Sequence, residues 1–428
     1  MTFNGRGYLD RCLTALAGLE YPRDRCNVVV VDNGSTDGSS EFLASHFPWV
    51  QVLRCEQNLG FAAGNNLGFR ATTSEFVVTL NNDTAVTPAW LAELVRPAID
   101  DPTVGLCTGR LILMHDRLRV SLWPAKESGS WTCPRIAAWL DDDPTPVEFL
   151  GPADGVPLAL GLAVLPQHRP ARLRLSLGLT AGTSVAISVG DSPAQTHVVG
   201  ADESVDLPLG ADVPIRSIIQ NAGSIVFRDG RGRDRGAVAG PNYHYFADDR
   251  GQFDRTEEVF AGCGASLLLR RAMLVNIGAF DERFFMYYED TELSWRARSR
   301  GWKVVYAAPA IARHVHRGST SAWSYRLVYY TERDRLMMLL KLAPTRVVVT
   351  EIVRSVASTT WATVSTIRQA IRGGEASRSW TLARWAALAS LGWELPGLLR
   401  SRAQLQRTRT VSPERLACWF QTDQQRRK

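Results

Sequence analysis

Residues 28–37 form an uninterrupted β-branched run that ends in an acidic, glycine-containing turn, Val-Val-Val-Val-Asp-Asn-Gly-Ser-Thr-Asp. Such a run is typical of a buried parallel strand, and open α/β sheets bind ligands at the carboxyl ends of their strands. A second apolar segment, residues 76–80, leads into Asn-Asn-Asp-Thr. Two acidic strand ends predict a nucleotide and metal site. The alternative is that Asp32 and Asp37 only cap a turn and the following helix.

Apolar periodicity predicts that helices and strands alternate along the first hundred residues. Helices are expected at 9–19, 39–46, about 64–71 and about 89–99, and strands at 27–31, 50–53 and 76–80. This alternation is that of βαβ units and indicates an α/β fold. Between about 118 and 217 the period changes to two, with Asp-, Gly- and Pro-rich breaks, which predicts an inserted antiparallel β-module. Such a module either binds glycan or has a structural or oligomerising role, because fold alone does not give function.

The composition favours a cytoplasmic protein. The seven cysteines, at 12, 26, 55, 107, 133, 263 and 418, show no metal-ligand spacing, which favours a reducing compartment and argues against zinc. No signal peptide is predicted, and the longest apolar windows are too short to span a bilayer.

Basic residues are concentrated in the last part of the chain. Residues 346–428 contain 14 Arg and Lys against 5 Asp and Glu, and such an excess favours an anionic partner. No nucleic-acid fold signature accompanies it, so nucleic acid is not expected. Tryptophans interleaved with arginines favour an anionic membrane surface, at the inner face of the plasma membrane. The alternative is a helical bundle packed on the rest of the protein with its arginines in solvent.

Four motifs occur in order along the chain: Asp-Asn-Gly-Ser-Thr-Asp-Gly-Ser at 32–39, Asn-Leu-Gly-Phe-Ala-Ala-Gly-Asn-Asn at 58–66, Asn-Asn-Asp at 81–83 and Tyr-Glu-Asp at 288–290. Together they closely resemble glycosyltransferase family 2, over roughly residues 1–115 and 218–345. The resemblance implies a GT-A fold and sugar transfer with inversion. The second and third motifs, with Arg-His-Val-His at 313–316, look like the subgroup that adds rhamnose or galactofuranose to bacterial surface glycans.

The expected architecture is therefore α/β, a GT-A nucleotide-sugar-binding doubly wound sheet with an inserted antiparallel β-sandwich-like module and a C-terminal helical region. The domains are expected to be a nucleotide-sugar-binding half, the inserted module, an acceptor-binding half and a basic amphipathic helical tail, at 1–117, 118–217, 218–345 and 346–428. Family members carry an apolar strand directly before a turn like Thr2-Phe3-Asn4. The first strand is thus expected to be missing, through a misplaced start or in a degenerate copy.

The resemblance also implies the donor-binding residues. Asp32 is expected to contact the nucleotide base, and Asn4 and Asn33 to shape the base pocket. The loop from Asn58 to Gly68 is expected to approach the donor closely, because Gly60, Gly64 and Gly68 leave room for it. Asn65 or Asn66 is expected to bind the ribose or brace Asp83. Asn82 completes this nucleotide-sugar-binding set.

Asp83 matches the last acid of the family's Asp-x-Asp motif, which holds a divalent cation against the diphosphate. Mg²⁺ and Mn²⁺ prefer oxygen ligands and bind through one or two carboxylates together with substrate phosphates. Asn81 replaces the first acid, which weakens the expected site by one charge. His314 stands at the family's metal-histidine position, with His316 as the alternative.

Asp290 matches the general base of the family's acceptor-site motif, and Glu289 is expected to position the acceptor or the base. Acidic residues at a helix start are also favoured by the helix dipole without any catalytic role. The leading hypothesis is an inverting transferase that moves rhamnose from dTDP-rhamnose to a glycan or lipid-linked acceptor in bacterial cell-surface polysaccharide synthesis. The alternatives are a galactofuranosyltransferase that uses UDP-galactofuranose and a catalytically silent scaffold of a glycan-assembly complex.

Overall fold

The computed structural model describes residues 1–124, 136–141, 143, 145–147, 158–166, 168–239, 244–315, 324–371 and 378–421. The chain separates into two compact units. The first contains Met1–Leu111, Gln220–Pro241 and Phe253–Lys428, and the second contains Ile112–Ile219 and Asn242–Gln252. The predicted α/β class, with a β-sandwich-like module and a C-terminal helical region, is confirmed.

The helices are numbered in chain order. They are α1 Arg6–Ala17, α2 Ser39–His46, α3 Gly60–Arg70, α4 Trp90–Asp100, α5 Arg271–Ile277, α6 Glu289–Ser299, α7 Tyr325–Leu342, α8 Thr345–Ile371, α9 Arg378–Thr408 and α10 Pro413–Ala417.

The strands are numbered in the same way. They are β1 Val29–Asp32, β2 Gln51–Arg54, β3 Phe76–Leu80, β4 Thr84–Val86, β5 Val104–Leu113, β6 Asp116–Pro124, β7 Ala137–Leu140, β8 Leu158–Val164, β9 Arg172–Ser176, β10 Ser184–Val189, β11 Gln195–Val198, β12 Ser204–Pro208, β13 Ile215–Arg216, β14 Ile218–Asn221, β15 Ser224–Val226, β16 Gly232–Asp234, β17 Ala237–Ala239, β18 His244–Asp248, β19 Glu257–Glu258, β20 Ser266–Arg270 and β21 Lys303–His314.

The first unit begins with a parallel strand pair covered by helices. β1 pairs with β2 in parallel, so that Val30 lies opposite Val52. The apolar faces of α1 and α2 bury Leu9, Leu13 and Leu43 against this pair. The predicted helix 39–46 and the predicted strand 76–80 coincide with α2 and β3. The alternation that predicted them therefore reflects βαβ packing.

A mixed sheet forms the centre of the first unit. β20 runs antiparallel to both β3 and β5, and β21 runs antiparallel to β4 and β19. Helix α4 covers this sheet with Trp90, Leu91 and Leu94, which are almost fully buried. The indole Nε1 of Trp90 donates to Ser266 Oγ at 3.1 Å. The carboxyl ends of β3 and β21 consequently meet beside β4.

The helix predicted at about 64–71 is found as α3, but it begins earlier, at Gly60, so most of the loop predicted from Asn58 to Gly68 is helical. The glycines serve helix packing. A Cβ at Gly64 would lie 2.4 Å from the sulfur of Met1, and a Cβ at Gly68 would lie 3.3 Å from Val31. Glycine at these two positions lets α3 pack closely against its neighbours, as a packed helix requires.

A cavity of about 700 Å³ lies between β1 and β3. Apolar side chains line it, including Leu13 of α1, Val29 and Val31 of β1, and Val78 of β3. Thr2 enters its end in parallel with β1, because Thr2 N donates to Val31 O and Asn33 N donates to Thr2 O, both at 2.8 Å. Beyond this bridge, no strand of the described residues pairs with β1 on the side opposite β2.

The second unit is a sandwich of two antiparallel sheets. β6 pairs with β8, β10 and β13 in one sheet, and β9 pairs with β7 and β12 in the other. Their inner faces share one core, in which Leu118, Leu162, Leu173 and Leu175 are fully buried. The period of two read from the sequence produces this arrangement, since alternate residues of a strand face the core.

The C-terminal helices α7, α8 and α9 pack together within the first unit. Their shared core contains Leu336, Leu391 and Leu398, and it also takes in Phe284 and Trp295 near α6. Arg335 on α7 bonds Glu351 and Ser355 on α8 inside this bundle. Among the described residues, no helix has the length and apolar character needed to cross a bilayer.

Candidate active site

The turn after β1 holds Asp32 in a closed set of hydrogen bonds. Its carboxylate is fully buried, and it accepts bonds from Ser35 N at 2.9 Å and from the Ser40 hydroxyl. These hydrogen bonds are the ones expected if Asp32 only caps the turn, because short side chains at turns commonly accept from nearby backbone N–H groups. Contact of Asp32 with a nucleotide base stays a prediction.

Asn4 and Asn33 join this turn to its neighbours. Asn4 has a left-handed backbone (φ 47°), and its amide oxygen accepts from Thr36 N at 2.8 Å. Asn33 is buried and donates to Asn58 Oδ1 at 3.0 Å and to Gly60 O at 3.1 Å. The two asparagines therefore brace the loops around the end of β1, where a base pocket is predicted.

Gly60 allows α3 to touch the segment before α6. It has φ 82°, and a Cβ there would lie 2.5 Å from the carbonyl oxygen of Phe285. Asn66 bonds the same segment through Phe280 N and O and Glu282, and Asn65 donates to Phe61 O within its own helix. Within the described residues these amides form no hydrogen bond with each other or with Asp83. The ribose-binding role of Asn65 or Asn66 stays a prediction.

Asp83 and His314 meet where β3 and β21 end. His314 Nε2 lies 3.1 Å from Asp83 Oδ1, and both side chains are buried. The backbone fixes this pairing, because β21 pairs with β4 and Val315 N donates to Asp83 O at 3.0 Å. Asn82, which directly precedes Asp83 in the chain, donates to Thr2 Oγ1 at 2.9 Å. The predicted metal residues are thus adjacent, whereas His316 lies outside the described residues.

The chemistry of this pair fits a divalent cation. His314 Nδ1 lies 2.7 Å from Gln220 Oε1, and a proton on Nδ1 leaves a lone pair on Nε2, which lies 3.4 Å from Asn81 Nδ2 and 3.1 Å from Asp83 Oδ1. Asp83 Oδ1 is buried and receives no hydrogen bond from the described residues. Two cis ligands of an octahedral ion at about 2.1 Å stand about 3 Å apart. The described residues contain no group of three His, Cys, Asp or Glu for a metal, so further ligands would come from substrate and water.

Glu289 and Asp290 open α6 in a strained backbone. Tyr287 and Tyr288, directly before them, have φ 73° and 65°, a region that costs a non-glycine residue about 1–3 kcal/mol. Asp290 Oδ2 accepts from Gly264 N at 2.9 Å, and Oδ1 accepts from Thr291 N at 2.6 Å. The carboxylate of Asp290 is therefore held in one orientation, at a partly exposed position.

Burial raises the pKa of both acids. The pKa of Glu289 lies well above its usual range, because the side chain is buried and the charge of Asp290 adds to the effect. Glu289 Oε2 has no hydrogen-bond partner among the described residues. The pKa of Asp290 is raised by burial, against the opposing bonds from Gly264 and Thr291. A partly exposed carboxyl with a raised pKa suits proton abstraction near neutral pH.

The sequence reasoning missed two residues of this region, Gln220 and Asp234. Gln220 orients His314, and Asp234 lies at the end of β16 within the electrostatic influence of both Asp290 and His314. No motif marks either residue. The only signal is a short polar pair, Gln220-Asn221, at the end of an apolar strand.

Two family models match the chain, and Gln220 and Asp234 lie between the two matched ranges. "Glycosyl transferase family 2" matches residues 1–120 and "Glycosyltransferase like family 2" matches residues 237–328. Each of these two segments is thus similar to a glycosyltransferase family 2 domain. Asp83 lies in the first matched segment, and Asp290 and His314 lie in the second.

Several curated glycosyltransferases share part of this family 2 sequence. A pre-mycofactocin glycosyltransferase of Mycobacterium tuberculosis is 34% identical over 111 residues, which cover 26% of this chain and 22% of that protein. An N-acetylglucosaminyl-diphospho-decaprenol L-rhamnosyltransferase of the same organism is 44% identical over 57 residues, 13% of this chain and 19% of that protein. The chain thus spans only about a fifth of the length of these relatives.

Solved structures of glycosyltransferases also resemble the chain. S. aureus TarS 1–349 in complex with UDP-GlcNAc has a TM-score of 0.41 at 13% identity, covering 96% of this chain and 88% of that one. The mannosyltransferase PcManGT from Pyrobaculum calidifontis, in complex with GDP-Man and Mn²⁺, has a TM-score of 0.38 at 14% identity, covering 97% and 76%.

Proposed function

We propose that the protein is an inverting glycosyltransferase that uses a nucleotide-sugar donor. The observation that carries the proposal is the pair formed by Asp83 and His314, 3.1 Å apart, in the same unit as the strained acids of α6. Transfer from a nucleotide sugar requires neutralisation of the leaving diphosphate and removal of a proton from the acceptor hydroxyl. These two groups of residues supply the two chemistries separately.

In the proposed reaction, Asp290 takes the acceptor proton as the acceptor oxygen attacks the anomeric carbon. The hydrogen bonds from Gly264 N and Thr291 N keep its carboxylate in place, and general-base catalysis of this kind is typically worth about 10²–10⁴-fold. Burial, together with the charge of Asp290, holds the pKa of the neighbouring Glu289 well above its usual range. Glu289 would position the acceptor or the base.

Asp83 and His314 would hold a divalent cation, Mg²⁺ or Mn²⁺. Such an ion, when bound, stabilises the negative charge that develops on the leaving diphosphate. Gln220 keeps the imidazole of His314 oriented, a role that residues behind metal ligands commonly have. Asp32, Asn33 and Asn82 would form the nucleotide side of the same region, with Asn4 at its edge.

We further propose rhamnose from dTDP-rhamnose as the transferred sugar, with UDP-galactofuranose as the alternative donor. The partial similarity to the mycobacterial rhamnosyltransferase supports the first choice. The acceptor would be a glycan or a lipid-linked glycan in bacterial cell-surface polysaccharide synthesis. With such an acceptor, the protein would work at the cytoplasmic face of the membrane.

The exposed face of α8 supports work at a membrane surface. Val349, Val353, Val356, Ile367 and Ile371 are exposed at spacings of a helical stripe. Arg354 and Arg368 are exposed on the same helix. A stripe of apolar residues with flanking arginines suits the surface of an anionic membrane.

The proposed function is tested by measuring thermal stability with each candidate donor. A ligand that binds only the folded state raises stability with the logarithm of its concentration over its dissociation constant. We expect dTDP-rhamnose to raise Tm in Mn²⁺ or Mg²⁺ and not in EDTA, and mass spectrometry to detect release of dTDP. Stabilisation without any turnover would favour a silent scaffold, and no response to any nucleotide sugar would overturn the proposal.

A further inference from the structure

Asp234 belongs to a hairpin that is anchored beside the α6 acids. β16 ends at Asp234, opposite Ser224 of β15. Ser224 in turn exchanges backbone hydrogen bonds with Ala261, at 2.8 and 3.2 Å. Gly264, three residues after Ala261, donates to Asp290 at 2.9 Å. Asp234 is therefore connected to the carboxylate of Asp290 by a series of hydrogen-bonded residues, namely Ser224, Ala261 and Gly264.

The carboxylate of Asp234 is oriented by an amide. Asn221, which is fully buried, donates from Nδ2 to Asp234 Oδ1 at 2.7 Å and to Ser224 Oγ at 3.1 Å. Its own amide oxygen accepts from Gly223 N at 2.8 Å, which fixes the direction of the Nδ2 group. These hydrogen bonds consequently hold the carboxylate of Asp234 in one orientation.

Asp234 has no cationic partner within the described residues. No Lys, Arg or His of the described chain forms an ion pair with it at 4.0 Å or less. Burial raises its pKa to about 6, and the charge of Asp290 adds to this shift while His314 opposes it. A placed carboxylate without a cation is suited to accept hydrogen bonds from neutral hydroxyl groups.

We propose that Asp234 is a specificity-determining residue that binds a hydroxyl group of the sugar being transferred. This proposal rests on the proposed function and names a ligand group within the same site. None of the four sequence motifs includes this position.

The two neighbours of Asp234 indicate the transferred sugar as its ligand. In a displacement with inversion, the attacking oxygen and the leaving oxygen stand on opposite sides of the anomeric carbon. Asp290 marks the attacking side and His314 marks the leaving side. Hydrogen bonds tie Asp234 to both sides. Asn221, which donates to Asp234, directly follows Gln220, whose Oε1 lies 2.7 Å from His314 Nδ1. Ser224, opposite Asp234, pairs with Ala261, three residues before the Gly264 that donates to Asp290. The sugar ring between the two sides is therefore the expected ligand of Asp234.

The experiment compares two ligands that differ only in the sugar. Calorimetric dissociation constants of dTDP and dTDP-rhamnose, and of UDP and UDP-galactofuranose, are measured in Mn²⁺ for wild type and Asp234→Asn. Loss of a hydrogen bond to a charged group costs about tenfold or more in affinity. We expect Kd to rise about tenfold for the nucleotide sugar and less than about twofold for the nucleotide alone. Asp10→Asn, an exposed acid on α1, is the matched control and should change neither constant.

Two results would overturn the inference. One is an equal rise of both dissociation constants in Asp234→Asn, which would assign the residue to the diphosphate side or to folding. The other needs no variant: if every singly deoxygenated analogue of the bound donor binds wild type as tightly as the parent, no sugar hydroxyl is recognised. Wild type that binds neither nucleotides nor nucleotide sugars would overturn the proposed function itself, and this inference with it.

Discussion

The imidazole nitrogen Nε2 of His314 lies 3.1 Å from the carboxylate oxygen Oδ1 of Asp83, although one residue ends β21 and the other follows β3. Antiparallel pairing of His314 with Thr84 fixes this approach. Two buried acceptors at this separation repel each other unless a proton or a cation lies between them. The pair is therefore a candidate cation site, and its affinity for a cation depends on the residues that orient Asp83 and His314.

Replacing Asp83 with alanine should remove the metal dependence of donor binding. The change takes away the only carboxylate of the pair, so the remaining histidine binds a divalent cation weakly. We expect the Mn²⁺-dependent rise in Tm with dTDP-rhamnose to disappear, while the protein stays folded by circular dichroism. Gln220→Leu should weaken Mn²⁺ binding about 10–100-fold, because it frees the ring of His314. Unchanged Mn²⁺ affinity in Asp83→Ala would show that the cation binds elsewhere.

Replacing Asp290 with asparagine should abolish transfer and spare donor binding. The lost group acts on the acceptor proton, so turnover should fall at least about a hundredfold while the Kd of the nucleotide sugar stays within about twofold. Steady-state rates and calorimetry measure the two quantities. Asp10→Asn again serves as the exposed control. Retention of more than about a tenth of wild-type turnover would contradict the assignment of Asp290 as the base.

The same assignment predicts the pH dependence of wild-type activity. The base must be ionised, and burial raises the pKa of Asp290 above that of an ordinary aspartate. The value of kcat/KM should therefore fall as pH drops through this raised pKa, above the usual value near 4 for Asp. A pH–rate profile that stays flat down to about pH 4 would mean that another group controls the proton transfer.

The sequence predicts local features of this protein better than its long-range contacts. Predicted α2 and β3 coincide with the observed elements because their apolar period and capping turns are local properties. The helix predicted at about 64–71 begins earlier, at Gly60, and the packing of Gly64 and Gly68 against Met1 and Val31 is a contact that no local pattern reveals. No local pattern reveals Gln220 and Asp234 either, since Gln220 contacts His314, 94 residues away, and Asp234 is held by Asn221 of β14.

Asp334 on α7 should make the stability of the protein depend on pH. It is fully buried, and burial raises its pKa to about 7 although Arg333 Nε donates to it at 2.6 Å. An acid with a folded pKa above its unfolded value near 3.9 contributes stability below that unfolded pKa and loses it as pH rises through the folded pKa. The free energy of unfolding of Asp334→Asn minus that of wild type should increase by about 2 kcal/mol from pH 5 to pH 8.

Urea unfolding at several pH values measures this difference. Asp100→Asn, an exposed acid at the end of α4, is the control and should follow the wild-type pH dependence. A difference between Asp334→Asn and wild type that is constant with pH would show that Asp334 has an ordinary pKa in the folded state.

The cavity between β1 and β3 should accept an added strand. Thr2 already pairs with β1 in parallel at the end of this cavity, and β3 offers five residues of strand edge. A five-residue apolar segment, Val-Ile-Val-Val-Val, fused directly to Met1 should insert there and raise Tm on the order of 5 °C. The same segment with a central proline lacks a ladder donor and should raise Tm less. Equal melting temperatures for all three proteins would show that the cavity does not accept a strand.

The apolar stripe on α8 should bind anionic membranes. Ile367 is 53% exposed and Val353 is 61% exposed, beside the exposed arginines 354 and 368. Each basic residue near such a surface contributes about 1 kcal/mol, and salt screens this attraction. We expect the protein to sediment with vesicles of phosphatidylglycerol and phosphatidylcholine at low salt, and the double variant Val353→Glu, Ile367→Glu to stay in the supernatant. Trp49→Glu changes an apolar residue that is 44% exposed elsewhere in the first unit, so this control should bind like wild type. Binding that persists in the double variant, or that ignores phosphatidylglycerol content, would leave α8 as part of a solvent-exposed helical bundle.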